Sequence, residues 1–172
     1  MTGPLRGAFL ALLVAGTPAG AFEAAYEAPT TRYPHGVLGD RIEYGTLVLR
    51  GEGGEWRVTL PETRVFEDIA PRVVELDGDP GPEVLVVEAD LERGAALVAY
   101  EPGAEGTLIR RGATRHIGRR FRWLSPAGVA DFDGDGRPDV AYVETPHLGK
   151  TLRFVTLEGA RFVEIASAGG FS

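Results

Sequence analysis

Asp131-Phe-Asp-Gly-Asp-Gly-Arg-Pro-Asp139, running directly into the apolar stretch Val140-Ala-Tyr-Val143, is an acidic loop that feeds a short strand. Its carboxylates stand at the first, third, fifth and ninth positions. Alternating acids in a tight loop aim several oxygens at one point, and Gly134 and Gly136 permit the positive φ such a turn needs. Calcium is a hard cation that collects oxygen ligands in flexible geometry. The ligand set expected here is Asp131, Asp133, Asp135 and Asp139 with the carbonyl of Arg137. Without a cation the four carboxylates repel one another, and a divalent ion removes that cost. Asp-Gly pairs also make plain hairpin turns, but those have no need of four acids at fixed alternation. An EF-hand shares the first half of the pattern, yet it requires a bidentate Glu at position 12 between two helices. Position 12 is Tyr142, inside the strand.

Displaced by 56 residues, the chain meets itself. Val73-Val-Glu-Leu-Asp-Gly-Asp-Pro-Gly-Pro-Glu-Val-Leu-Val-Val-Glu88 falls without a gap on Val129-Ala-Asp-Phe-Asp-Gly-Asp-Gly-Arg-Pro-Asp-Val-Ala-Tyr-Val-Glu144. Self-similarity of this density marks an internal repeat. The first copy offers a weaker cation loop, with Glu75, Asp77, Asp79 and Glu83 as acids and Gly81 supplying the carbonyl. There a longer Glu replaces the leading Asp, and Pro80 replaces the second Gly.

Each unit reads as strand, acidic loop, strand, connection, strand. Val84 to Val87 and Val140 to Val143 have the β-branched, apolar character of strands buried on both faces. Ala95 to Tyr100 and Thr151 to Leu157 follow, with Leu152 and Phe154 expected to fall on Ala96 and Val98. Thr107 to Arg110 and Arg161 to Ile165 close the two units. Upstream, Thr46 to Arg50 and Trp56 to Leu60 flank Gly51-Glu-Gly-Gly54, a hairpin signal. No segment sustains a helical period, so an all-β fold is expected. Its repeat region spans 36–172, with a degenerate unit over 36–65, a first repeat over 66–121 and a second over 122–172.

Composition agrees. Hydrophobic residues make up 44% and charged residues 25%, and Gly 24 and Pro 12 punctuate short apolar runs, which suits strands joined by turns. The net charge of -7 gives no general attraction for nucleic acid or anionic lipid. The absence of cysteine excludes disulfides and thiolate chemistry. Residues 1–21 combine Arg6, a short apolar run from Gly7 to Gly16 and the small residues Ala19-Gly20-Ala21. That is the pattern of a secretory signal, too short to span a bilayer. An exported protein, periplasmic or extracellular, is expected, with 22–35 as a linker before the repeats.

The two loops resemble the FG-GAP/VCBS repeats of integrin α-subunit propellers and many exported bacterial proteins, whose signature is Asp-x-Asp-Gly-Asp-Gly-x-x-Asp followed by an apolar strand. Asp131, Asp133, Gly134, Asp135, Gly136 and Asp139 match every position, while Glu75, Pro80 and Glu83 depart from it. The resemblance covers about residues 66–168. It implies that each unit is a propeller blade with calcium in the loop joining its first strands, and it is silent about activity. Closed propellers have at least four blades, so a partial or open propeller is implied. The function expected is a non-enzymatic calcium-binding scaffold or binding module with a protein or glycan ligand. A secreted hydrolase or lyase using the propeller face is the alternative.

Other features carry less. Arg110, Arg111, Arg115, His116, Arg119, Arg120 and Arg122, with Phe121 and Trp123, would suit an anionic glycan or nucleic acid. In so acidic a chain they read better as a connection between units that offsets nearby acids. His35, His116 and His147 lack zinc spacing. No nucleophile elbow, phosphate loop or metalloprotease motif is present. Glu67 and Asp68 imitate a glycosidase acid pair.

Overall fold

The computed structural model describes residues 22–171; the expected signal segment, 1–21, lies outside the described residues. The fold is all-β. Its strands are β1 (Glu23–Thr30), β2 (Glu43–Gly51), β3 (Gly54–Thr59), β4 (Arg64–Phe66), β5 (Arg72–Val74), β6 (Glu83–Asp90), β7 (Gly94–Pro102), β8 (Leu108–Ala113), β9 (Leu124–Ala130), β10 (Asp139–Glu144), β11 (Thr151–Glu158) and β12 (Arg161–Gly169). They form one open sheet in the order β1-β2-β4-β6-β7-β8-β12-β11-β10-β9, with β3 on β2 and β5 on β6. The named strands pair antiparallel except for a single parallel contact, Arg161 against Ala113.

The strands fall into three groups that pack face to face. Every residue of β6, Glu-Val-Leu-Val-Val-Glu-Ala-Asp, is buried, because successive side chains point to opposite faces and both faces are covered. On one face Val84, Val86, Ala96, Val98 and Tyr100 join Leu47, Leu49 and Phe66 of β2 and β4. On the other, Leu85, Val87, Ala95, Leu97 and Ala99 join Leu124, Val140, Tyr142 and Val155. The β5–β8 group therefore lies between a first group, β1–β4, and a last group, β9–β12.

The internal repeat is visible in the hydrogen-bond register. Val73 opposes Val84 as Val129 opposes Val140. Further on, Val86 opposes Val98 and Tyr142 opposes Arg153. The chain from Tyr142 to its partner Arg153 is one residue shorter than that from Val86 to its partner Val98, so Arg153, and not Phe154, occupies the place of Val98. This corrects the expected match of Leu152 and Phe154 with Ala96 and Val98. A one-residue slip sends every side chain of a strand to the other face, so Leu152 and Phe154 point away from the middle group. Both units then carry the same β-bulge. It falls between Ala99 and Tyr100 against β8, and between Phe154 and Val155 against β12, leaving Arg111 and Ile165 as the extra residues. A bulge interrupts the ladder and sharpens the local twist, and its recurrence at the same place gives the two units the same shape.

One boundary needs correction. The stretch 22–35, expected as a linker, carries strand β1, which pairs along β2 from Glu23–Arg50 to Thr30–Glu43. Its Ala-rich composition and Pro29 gave no strand signal, yet Pro is tolerated on a sheet edge. The expected hairpin is present as β2 and β3.

Candidate metal centre

Strands β9 and β10 hold the second acidic loop between them. Asp131, Asp133 and Asp139 each present a carboxylate oxygen within 4.8 Å of the others. The loop is wound around Asp131. Its Oδ1 accepts the N–H groups of Gly134 (2.7 Å) and Asp135 (3.1 Å), and its Oδ2 accepts that of Gly136 (2.9 Å). Gly134 and Gly136 take φ +82° and +87° with open space beyond each Cα, the left-handed turns that bring those amides inward. Asp139 opens β10, is 1% exposed, and accepts the Phe132 N–H at 3.0 Å.

The remaining expected ligands stand differently. Asp135 lies outside this set, because its carboxylate is held by Arg137 at 2.8 and 2.7 Å. That pairing also keeps the Asp135 carboxyl below its ordinary range. The side chain of Arg137, expected to contribute only its carbonyl, thus occupies one of the loop acids. Nothing in the amino-acid order marks that pairing beyond the spacing of two residues.

The first loop, between β5 and β6, repeats the arrangement with Glu75, Asp77 and Glu83 gathered within 4.8 Å. Glu75 Oε1 accepts the Asp77 and Gly78 N–H groups at 3.1 and 2.6 Å, and Asp77 accepts that of Asp79 at 3.0 Å. Glu83 accepts the Leu76 N–H at 2.7 Å, as Asp139 accepts that of Phe132. Burial pushes the Glu83 carboxyl up to about 7, with repulsion from Asp77, Glu75 and Glu101 adding to it and the Leu76 amide opposing it. Asp79, expected as a ligand, is outside the gathered carboxylates, and it lines a cleft with Glu83, Glu101 and Gly81, the residue expected to supply its carbonyl.

Arg111 distinguishes the two loops. It is the bulged residue of β8, and its Nε lies 2.8 Å from Asp77 and 3.3 Å from Glu101. A guanidinium at that place neutralises part of the charge that would attract a cation. The matching bulge residue in the last group is Ile165, which carries no charge. The basic stretch thus contributes an internal counter-ion to the first loop.

A second set of acids lies in the first group. Glu43, Glu67 and Asp68 are 2%, 0% and 5% exposed. Asp68 is bound by Arg72 at 2.7 Å, while Glu67 contacts His35 Nδ1 and leaves its other oxygen without a partner. Glu67 and Asp68 are therefore tied internally to different partners, unlike an open acid pair. His116 bonds the Gly94 carbonyl at 2.8 Å, and His147 stacks on Trp123. His35 and His147 line a cavity of about 240 Å³ with Phe121, Arg122 and Trp123. It adjoins the turn after β10, at the opposite end of that strand from the acidic loop.

No protein-family model, curated protein or solved structure matches the chain. The residues present fit a hard divalent cation. Both clusters offer only oxygen donors, and each includes one buried carboxylate anchored by a backbone amide. Among the described residues, no helix is long and apolar enough to cross a membrane.

Proposed function

We infer that the protein is an exported, calcium-binding β-propeller-like repeat protein of FG-GAP/VCBS type, serving as a non-enzymatic scaffold or binding module. The observation that carries this reading is the recurrence of the same acidic cluster at the same place in two strand units, each wound on backbone amides. Asp131, Asp133 and Asp139 hold calcium in the second loop, and Glu75, Asp77 and Glu83 form the weaker first site. The ion neutralises the loop and ties β9 to β10, so metal-binding energy becomes folding energy. Three groups of strands stacked face to face are consistent with blades of an open propeller. The pattern of residues 1–21 supports export to the periplasm or beyond.

The alternative, a hydrolase or lyase, finds less support. Glu43 and Glu67, the most strongly raised acids, are buried and line none of the principal clefts, and Glu83, raised to about 7 beside a cleft, is tied to the Leu76 amide within the first acidic loop. The cleft that contains Glu144 and Glu164 has Arg153 between them, and Glu164 is held below its ordinary range by Ser167 and then by Arg153. A general acid needs the opposite shift. The direct test is calcium titration by calorimetry. Uptake by the intact protein is expected, with a large loss in Asp133→Ala, and an Asp133→Ala variant binding as the parent does would refute the assignment.

A further inference from the structure

Arg110 and Arg111, adjacent in β8, take opposite courses. Arg111 goes to Asp77 beside the first acidic loop, while Arg110 lines a separate cleft of about 400 Å³, a size that suits a small molecule. Arg64 of β4, Arg93 of the turn between β6 and β7, and Arg115 and His116 beyond β8 line the same cleft. Separate stretches of chain thus bring four guanidinium groups to one place, in a protein whose net charge is -7. No carboxylate is among the lining residues.

Two acids adjoin these cations, and their oxygens are already taken. Glu88, 0% exposed, accepts the Tyr100 hydroxyl on Oε1 and Arg64 Nη1 at 3.1 Å on Oε2, with Arg110 Nε 3.9 Å away. Asp90 Oδ1 accepts the Glu92 and Arg93 N–H groups at 3.1 and 3.0 Å, and its Oδ2 accepts the Arg93 guanidinium at 2.7 Å. The cations are far less fully used. A guanidinium carries five N–H donors. Arg64 and Arg93 each commit one to these acids, and Arg110 makes an ion pair without a hydrogen bond. Arg115 makes neither among the described residues.

The segment that carries Arg115 is pinned. The N–H groups of Thr114, Ile117 and Gly118 donate to the carbonyls of Leu97, Ala95 and Arg93 at 2.9, 2.9 and 2.8 Å, and His116 Nδ1 donates to the Gly94 carbonyl at 2.8 Å. Cations presented on a fixed backbone lose less freedom on binding. The surplus of positive charge is also local. On the other side of this segment, Arg115 and Arg153 line a cleft with Glu144 and Glu164, and Arg153 pairs with both acids.

We propose that the arginine cleft binds a doubly charged tetrahedral oxyanion, free or as the phosphate monoester of a small molecule. Guanidinium forks match the paired oxygens of such a group and hold it bidentately. Its two charges answer the excess of four cations over two acids, and it relieves the repulsion among cations gathered in one cleft. None of the calcium-loop residues takes part.

Calorimetric titration of the full protein tests it, in calcium-free buffer at constant ionic strength, so that the result stands apart from the metal assignment. Inorganic phosphate and glucose 6-phosphate are the probes, and saturable uptake of at least one is expected. Tighter binding of glucose 6-phosphate assigns a monoester; equal or tighter binding of phosphate assigns the free ion. Arg115→Ala removes an exposed side chain and should weaken binding about tenfold at an unchanged melting temperature. Arg110→Ala should weaken it similarly, with its melt recorded because Glu88 loses a neighbouring cation. Arg57→Ala, on β3, should bind as the parent does. No saturable uptake of either probe up to about 10 mM overturns the proposal. Uptake untouched by both Arg115→Ala and Arg110→Ala, or lost equally in Arg57→Ala, overturns it as well.

Discussion

Asp131 accepts three backbone amides and Asp139 one, so the second loop is shaped around its acids before any ion arrives. Asp133 contributes mainly charge and a ligand oxygen, which makes Asp133→Ala the cleanest test of the site. It should abolish most of the calcium-dependent rise in unfolding temperature, whereas Asp77→Ala should remove less, since Arg111 already shares Asp77. Equal losses, read by melts with and without calcium, would show the ranking of the loops to be wrong. Conversely Arg111→Ile, which installs the residue the second unit carries at its bulge, should tighten calcium uptake by the first loop. The buried acids give a separate prediction. Burial, with repulsion from Glu43, pushes Glu67 up to about 9, and burial, with Asp40 and Asp68, pushes Glu43 up to about 8. Both are protonated in the folded protein at neutral pH, and His35, lowered by burial, takes the Glu67 proton as a hydrogen bond. A carboxyl raised by folding stabilises below its unfolded pKa, and that stability is lost as pH climbs through the folded value. The melting midpoint should therefore fall between about pH 5 and 9, and Glu67→Gln, neutral throughout, should flatten the slope. A slope unchanged in that variant would count against the assignment.

At the scale of elements, the legible part of the fold is the part written in apolar runs. Val84 to Val87 and Val140 to Val143 announce strands by their apolar, valine-rich character, which fills both covered faces of β6. The acidic loops were legible for the same local reason, with acids and glycines at fixed intervals. What lay beyond reach was register. The one-residue shortening between Tyr142 and Arg153 carries no compositional mark, yet it turns Phe154 outward. Strand β1 owes its existence to pairing with β2, not to its own residues. Arg111 and Arg137 read as ordinary surface cations, and only the bulge and the loop winding bring them to Asp77 and Asp135. Close approach between elements is equally hidden. Gly94 begins β7 at φ +73°, and a Cβ there would stand 2.2 Å from the Arg119 carbonyl of the connection to β9. Gly94→Ala should cost about 2–4 kcal/mol, through both the positive φ and the backbone clash. Chemical denaturation measures it, and a loss below about 0.5 kcal/mol would show that the connection yields.

For the whole molecule, the middle group is covered on both faces by apolar contacts and needs no metal to hold together. The last group has one covered face, two exposed outer strands and an acidic loop joining its first pair. Calcium should matter most there, because a cation removes loop repulsion where burial contributes least. Thermal unfolding of the protein in excess calcium and in chelator, paired with calorimetric titration, puts this directly to the test. At a hundredfold excess over Kd, an ion bound only by the folded state adds about 2.7 kcal/mol, a rise of roughly 5–10 °C for a chain of this size. The account predicts that rise together with measurable calcium uptake. An unchanged midpoint with no uptake would contradict it.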